Sequence, residues 1–280
     1  MAKTKRIWFT VASCFTVIGA VVFAVAMTLN HWDFSKLNTG KHIINEYDIS
    51  EEFKDIKIET DTADIIFLPS EDGKCRVVCE EDEKALHYVS AENGQLTISL
   101  KDNRKWYDHI FFDFSNYKIT IYIPKGEYGK LSVKNSTGDI NIPACFGFEN
   151  VGVTVSTGDV YISASVSEKL EINVSTGDVI ISDSECGSIV SDGSTGNIIL
   201  KNVRASEKIE IKRSTGDVTL ESSDASEIYV KTSTGDVKGR LLSEKVFITY
   251  TSTGSVHVPK TSEGGRCEII TSTGDIEFTE

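Results

Sequence analysis

Proline is scarce in these 280 residues. Four Pro and two Met stand against 21 Gly. A chain so short of proline yet regularly punctuated by glycine is built of strands and tight turns, not of Pro-rich linkers. Positive charge is also scarce beyond the N-terminus. Lys3, Lys5 and Arg6 are the only charged side chains in the first 29 residues, and the rest of the chain sets 26 basic against 42 acidic groups. So acidic a body repels phosphate backbones and anionic lipid surfaces, which excludes nucleic acid as a partner class. Motifs of chemistry are missing as well. There is no CxxC, and the five His residues (31, 42, 87, 109, 257) have no ligand spacing. The recurrent Ser-Thr-Gly lacks the Gly two residues before Ser, and the strand-to-helix context, of a nucleophile elbow. No catalytic residue and no cofactor is assigned.

Six cysteines occur, at 14, 75, 79, 145, 186 and 267. Cys75 and Cys79 are four apart in an extended run, about 13 Å between Cα atoms and too far for a disulfide. They read as small buried apolar residues.

Ile7 to Leu29 contains no charged residue. As a helix it is about 34 Å long, enough to cross a bilayer core. Basic residues before it and an acidic domain after it predict a cytosolic N-terminus and an extracytoplasmic body. A cleaved signal segment is the rival reading, because Ala24-Val25-Ala26 resembles a processing site. The apolar run continues through Met27-Thr28-Leu29, which favours an uncleaved anchor. The chain then divides into a basic tip (1–6), an anchor (7–29), a tether (30–41), an irregular β cap (42–130) and a repeat body (131–280).

The repeat is the dominant signal. Ser-Thr-Gly begins at Ser136, Ser156, Ser175, Ser194, Ser214, Ser233, Ser252 and Ser272, always 19 or 20 residues apart. The turn glycines are Gly138, Gly158, Gly177, Gly196, Gly216, Gly235, Gly254 and Gly274, each free to take φ > 0. Asp follows in six copies, at 139, 159, 178, 217, 236 and 275; Asn197 and Ser255 replace it in two. Alternating apolar pairs flank each turn, such as Leu170/Ile172 before it and Val179/Ile181 after it, so each strand buries one face. Identical turns at constant period stack in register in a β-solenoid, whereas an antiparallel meander gives no reason for the identity. The expected fold is all-β, a β-solenoid rod on the order of 38 Å for eight coils, preceded by one transmembrane helix.

Ahead of the repeats, Phe53 to Pro69 reads as a degenerate coil with Asp61-Thr62-Ala63-Asp64 at the turn. Glu92-Asn93-Gly94-Gln95 reads as a hairpin turn, and Lys118 to Pro124 as a further strand. A basic start, one membrane segment, Gly94-Gln95-Leu96-Thr97-Ile98, Ile121-Tyr122-Ile123-Pro124 and repeated S-T-G-D-[VI] turns together resemble the bacterial putative-adhesin family. This is a domain of unknown function that includes the LiaG-like envelope proteins. The resemblance covers residues 42–280. It implies a β-solenoid in the cell envelope and carries no catalytic residues.

Three surfaces are candidates. Stacked in register, the six Asp carboxylates invite a Ca²⁺ reading, although one Asp per coil supplies few ligands. The run Trp106 to Phe114, with Phe111 and Phe112, is an aromatic cluster suited to a partner or to plugging the core. Ile276 and Phe278 belong to the last coil with only two residues after them. This predicts an uncapped end that pairs with a second copy or an envelope partner. The functional expectation is a non-enzymatic binding or adhesion protein with an envelope protein or glycan as partner. A polysaccharide-processing β-helix enzyme and a structural spacer are the alternatives.

Overall fold

The computed structural model describes residues 2–29, 31–32, 42–103 and 117–279, with side chains described from Trp8 onward. The described chain falls into two compact units, the N-terminal helix in one and the β body in the other.

Helix α1 spans Ala2–Leu29. Its segment Trp8–Leu29 is long and apolar enough to cross a membrane. The hydroxyls of Thr16 and Thr28 donate to the carbonyls of Ala12 and Ala24, at 3.0 and 2.7 Å. Polar side chains that bond their own helix backbone leave no unsatisfied donor in an apolar phase.

The β body is a parallel solenoid. Each layer runs long strand, Ser-Thr-Gly turn, short strand, and each strand lies parallel to its counterpart one layer away. Thr137, Thr157, Thr176, Thr195, Thr215 and Thr234 pair in succession. Inward positions form apolar columns, such as Leu131, Val151, Leu170, Ile189, Ile209 and Ile228. This stack, not an antiparallel meander, is what the constant period encodes.

The turn glycines have φ between 123 and 149°. Each also abuts the layer before it: a β-carbon at Gly177 would lie 2.0 Å from the carbonyl oxygen of Gly158, and the same contact recurs at 2.0–2.3 Å for the other seven turns. Conformation and space therefore both require glycine.

The N-terminal strands are β1 (His42–Ile49), β2 (Asp55–Glu59), β3 (Asp64–Pro69), β4 (Cys75–Asp82), β5 (Ala85–Glu92), β6 (Gln95–Asp102) and β7 (Lys118–Ile123). The degenerate coil is β2 and β3, with Thr62 bridging Thr137 of the next layer. The Asn93-Gly94 hairpin joins antiparallel β5 and β6, both turn residues at positive φ. β6 and β7 form a further layer outside β2 and β3. β5 and β4 cover that layer in antiparallel fashion, and β1 pairs with β4. Between β6 and β7 lies the Trp106–Phe114 run, and Trp106, Phe111, Phe112 and Phe114 are outside the described residues.

Chain order and layer order differ at both ends. The first coil in sequence, β2–β3, is flanked by β6–β7 on one side and by the Gly138 layer on the other. At the far end the chain leaves Leu241, skips a place and lays down Lys245–Thr253 and Val256–His257. It then returns to fill the gap with Gly265–Thr273 and Ile276–Thr279. The last coil is thus interior, and the seventh is outermost among the described residues. This corrects the expectation for Phe278. Its side chain is 5% exposed and its ring centre lies 5.3 Å from that of Phe247. A strand with two neighbours satisfies both its hydrogen-bonding edges, which a terminal strand cannot do.

Two basic side chains tie layers that are not adjacent. Arg213, 4% exposed, passes over Gly193 and donates from Nη1 to the carbonyl of Val174, 2.8 Å away. Lys245 of the outermost layer, paired with Gly265, reaches Asp224 at 2.6 Å. Each uses a glycine in the intervening layer as a passage.

Gly177→Val is expected to destabilise the body by about 3 kcal/mol or more, since it combines strain with a backbone clash. Ser175 is exposed, and Ser175→Ala is expected to cost about 0.5 kcal/mol or less. Thermal melts of the two variants check this; equal shifts would contradict the turn geometry.

Candidate functional site

The six Asp residues of the repeat stand in one column, and the structure shows what holds them there. Oδ1 of each side chain accepts from the amide of the corresponding residue in the next layer. Asp64 accepts from Asp139 at 2.9 Å, Asp139 from Asp159 at 2.8 Å, and Asp159 from Asp178 at 2.8 Å. Asp178 accepts from Asn197 at 2.7 Å and Asn197 from Asp217 at 2.9 Å. Asp217 accepts from Asp236 at 2.9 Å, Asp236 from Asp275 at 2.8 Å, and Asp275 from Ser255 at 2.7 Å.

The backbone ladder beside it runs the other way, for example Val160 N to Asp178 O at 2.9 Å. The carbonyl that would complete the ladder at the Asp amide belongs to glycine, and it points at the next glycine instead. A side-chain acceptor fills that vacancy. Both departures from Asp are explained. Asn197 retains an Oδ1 acceptor, and Ser255 belongs to the outermost layer, where no further amide among the described residues needs one. Ser255 donates both its amide and its hydroxyl to Asp275, and these bonds hold that carboxyl below the usual carboxylate range. The carboxylates the sequence offered to Ca²⁺ thus each commit one oxygen to the fold.

A second cluster lies in the N-terminal cap, and none of its residues was a candidate from the sequence. Cys79 and Glu81 project inward from β4, and His87 inward from β5; all three are buried. Glu81 accepts at Oε2 from the amide and Nδ1 of His87, both at 2.6 Å, and at Oε1 from Asn45 Nδ2 at 2.6 Å. His87 Nε2 lies 2.8 Å from Thr60 Oγ1, and the Tyr47 hydroxyl donates to the His87 carbonyl at 2.9 Å. Burial and the Glu81 charge push the Cys79 thiol up to about 12. Burial, then Glu81 and Cys79, also raise Tyr47. The donor atoms of Cys79, Glu81 and His87 fall within 4.8 Å of one another, making this the one group of three metal-capable side chains among the described residues. Parity was the signal that could have found it. In Cys75-Arg-Val-Val-Cys79-Glu-Glu81 the inward positions are Cys75, Val77, Cys79 and Glu81, and a glutamate in such a column has to be satisfied inside.

The outer face of the long strands carries a different chemistry. A groove of about 350 Å³ is lined by Lys208, Glu210, Lys212, Tyr229, Arg266 and Glu268 among others. Glu210 accepts from Lys208 at 2.8 Å and from Lys212 at 2.6 Å, and these bonds lower its carboxyl to about 2. Lys212 also lies over the Tyr229 ring, 5.9 Å from its centre. Towards the outermost layer the same columns continue as Glu268 and Ile248, and as Ile270 and Tyr250. Tyr250 is 61% exposed.

Substitution separates acceptor from charge in the Asp column. Asp159→Asn is expected to melt within about 0.5 kcal/mol of the wild type, as Asn197 already does the same work, whereas Asp159→Ala is expected to cost about 1–2 kcal/mol. Calcium is expected to raise the melting temperature no more than magnesium does. Equal losses for Asn and Ala, or a calcium-specific rise, would contradict the ladder.

Among solved structures, a putative adhesin from Parabacteroides distasonis is similar at a TM-score of 0.48 and 15% identity, covering 86% of this chain and 98% of that one. A putative adhesin from Bacteroides fragilis gives 0.40 and 18%, over 85% and 97%. A putative lipid binding protein from P. distasonis gives 0.39 and 18%, over 87% and 98%. No curated protein matches. The sequence profile of the Toastrack DUF4097 family matches residues 53–206 and 185–279, and the chain belongs to that family.

Proposed function

We propose that this chain is a membrane-anchored, non-enzymatic binding protein of the bacterial cell envelope, with its N-terminus cytosolic and its solenoid extracytoplasmic. The observation that carries the reading is the uncharged apolar helix Trp8–Leu29, placed between a basic tip and an acidic β body. Charge asymmetry of this sign orients a single span with its basic end inside.

The ligand-facing element of this reading is the outer face of the long strands. Lys212, the half-buried Tyr229 and the exposed Ile248 and Tyr250 there combine aromatic rings, positive charge and apolar surface. Tyrosines with nearby charged groups suit an envelope glycan or protein, because the ring covers apolar area while the hydroxyl and charges give direction. Self-association belongs to the outermost layer in this reading. The strand Lys245–Thr253 has a partner on one side only among the described residues, and an open strand edge suits a second copy stacked end to end.

Two measurements test the proposal. On intact spheroplasts a C-terminal tag is expected to be accessible and an N-terminal tag inaccessible, with the chain retained in carbonate-washed membranes; a soluble mature chain would overturn the anchor. The body is also expected to capture an envelope component that Tyr250→Ala fails to hold. Tyr161→Ala, on the short-strand face, is expected to retain it. Failure of the wild type to capture anything, or equal capture by all three proteins, would favour a spacer.

A further inference from the structure

We propose that Cys79, Glu81 and His87 form a binding site for one divalent transition-metal ion of the zinc class, which fastens the N-terminal cap to the solenoid. One thiol, one carboxylate and one imidazole are a mixed S/O/N set of the kind zinc takes, and they come from two strands whose turn is short. Their donor atoms already lie within 4.8 Å of one another. In a tetrahedral zinc site, neighbouring donors stand roughly 3.3–3.8 Å apart. Loading the site therefore opens the 2.6 Å Nδ1–Oε2 pair and draws in the Cys79 sulfur by side-chain shifts of about 1 Å. Water completes the coordination.

Charge balance favours the ion. A divalent cation with one thiolate, one carboxylate and one neutral imidazole has no net charge, which suits a place where the carboxylate and imidazole side chains are only 1% and 3% exposed. The thiol proton leaves to solvent as the Cys79–metal bond forms. The imidazole stays neutral and moves its proton from Nδ1 to Nε2.

The surrounding groups are set for that tautomer. Thr60 Oγ1, 2.8 Å from Nε2, accepts a hydrogen bond from Nε2–H once Nδ1 binds the metal. Asn45 Nδ2 holds the other oxygen of Glu81 at 2.6 Å, and the Tyr47 hydroxyl holds the His87 backbone. Metal-binding histidines and carboxylates are characteristically steadied by such outer hydrogen bonds. Because Asn45 and Tyr47 belong to β1 and Thr60 follows β2, the ion would tie β1, β4 and β5 to an inner layer of the stack.

The test uses the full chain in detergent after chelator treatment. Cobalt(II) is expected to bind one equivalent and give a thiolate-to-cobalt charge-transfer band, and zinc is expected to displace it and raise the melting temperature. Cys79→Ser is expected to abolish the band. Cys75→Ser, a buried thiol on the same strand, is expected to keep it. Thr60→Val is expected to keep the band and weaken metal binding by about 10- to 100-fold. Absence of the band in the wild type, its survival in Cys79→Ser, or unchanged affinity in Thr60→Val would overturn the proposal and leave a hydrogen-bonded network only.

Discussion

The carbonyl oxygen of each turn glycine occupies the place where the next glycine's β-carbon would be. From Gly138 to Gly254 the stack depends on this contact. It fixes the residue type at every turn, because any side chain would meet backbone at about 2 Å. It also turns that carbonyl away from the following amide, and so creates the need that the Asp column meets. Glycine and aspartate in the repeat are two halves of one solution: the first allows the layers to close at strand spacing, and the second satisfies the amide that this closure leaves behind.

A stack held by identical contacts does not specify its own order. Any layer of this type fits on any other, so the chain can set down the Gly254 layer one place too far and then insert the Gly274 layer beneath it. The same exchange at β2–β3 places the first coil of the sequence inside. At each end the last regular coil is thereby covered by another segment. At the N-terminal end the cover is antiparallel β4 and β5; at the other it is a layer whose inward positions are Phe247, Thr249 and Thr251, only half-buried. Lys245 crossing to Asp224 further ties the outer layer to the one beyond the insertion.

Much of this was legible in the residues. The 19–20-residue period, the alternation on either side of each turn and the Asn93-Gly94 hairpin all correspond to observed elements, since each is a local instruction. The layer exchange was not legible from period or pattern, because it leaves both unchanged. Ser255 was the one local mark of it, an Asp omitted where no further layer required an acceptor. Nothing local marks Arg213 as buried; its burial depends on Gly193, twenty residues earlier and one layer away. The polar cluster of the cap was missed for a related reason. Five scattered histidines show no spacing, and only the pairing of β4 with the neighbouring strands brings His87 to Glu81.

The claim on which the rest hangs is that the amides of the Asp column are bonded to side chains of the preceding layer. They lie in exposed turns, where unbonded amides exchange freely. Hydrogen–deuterium exchange of the turn segments containing Asp159, Asp178, Asn197 and Asp217 tests it most directly. Protection at these amides comparable to that of the adjoining core strands is expected. Exchange at the rate of an open loop, with the strands still protected, would contradict it.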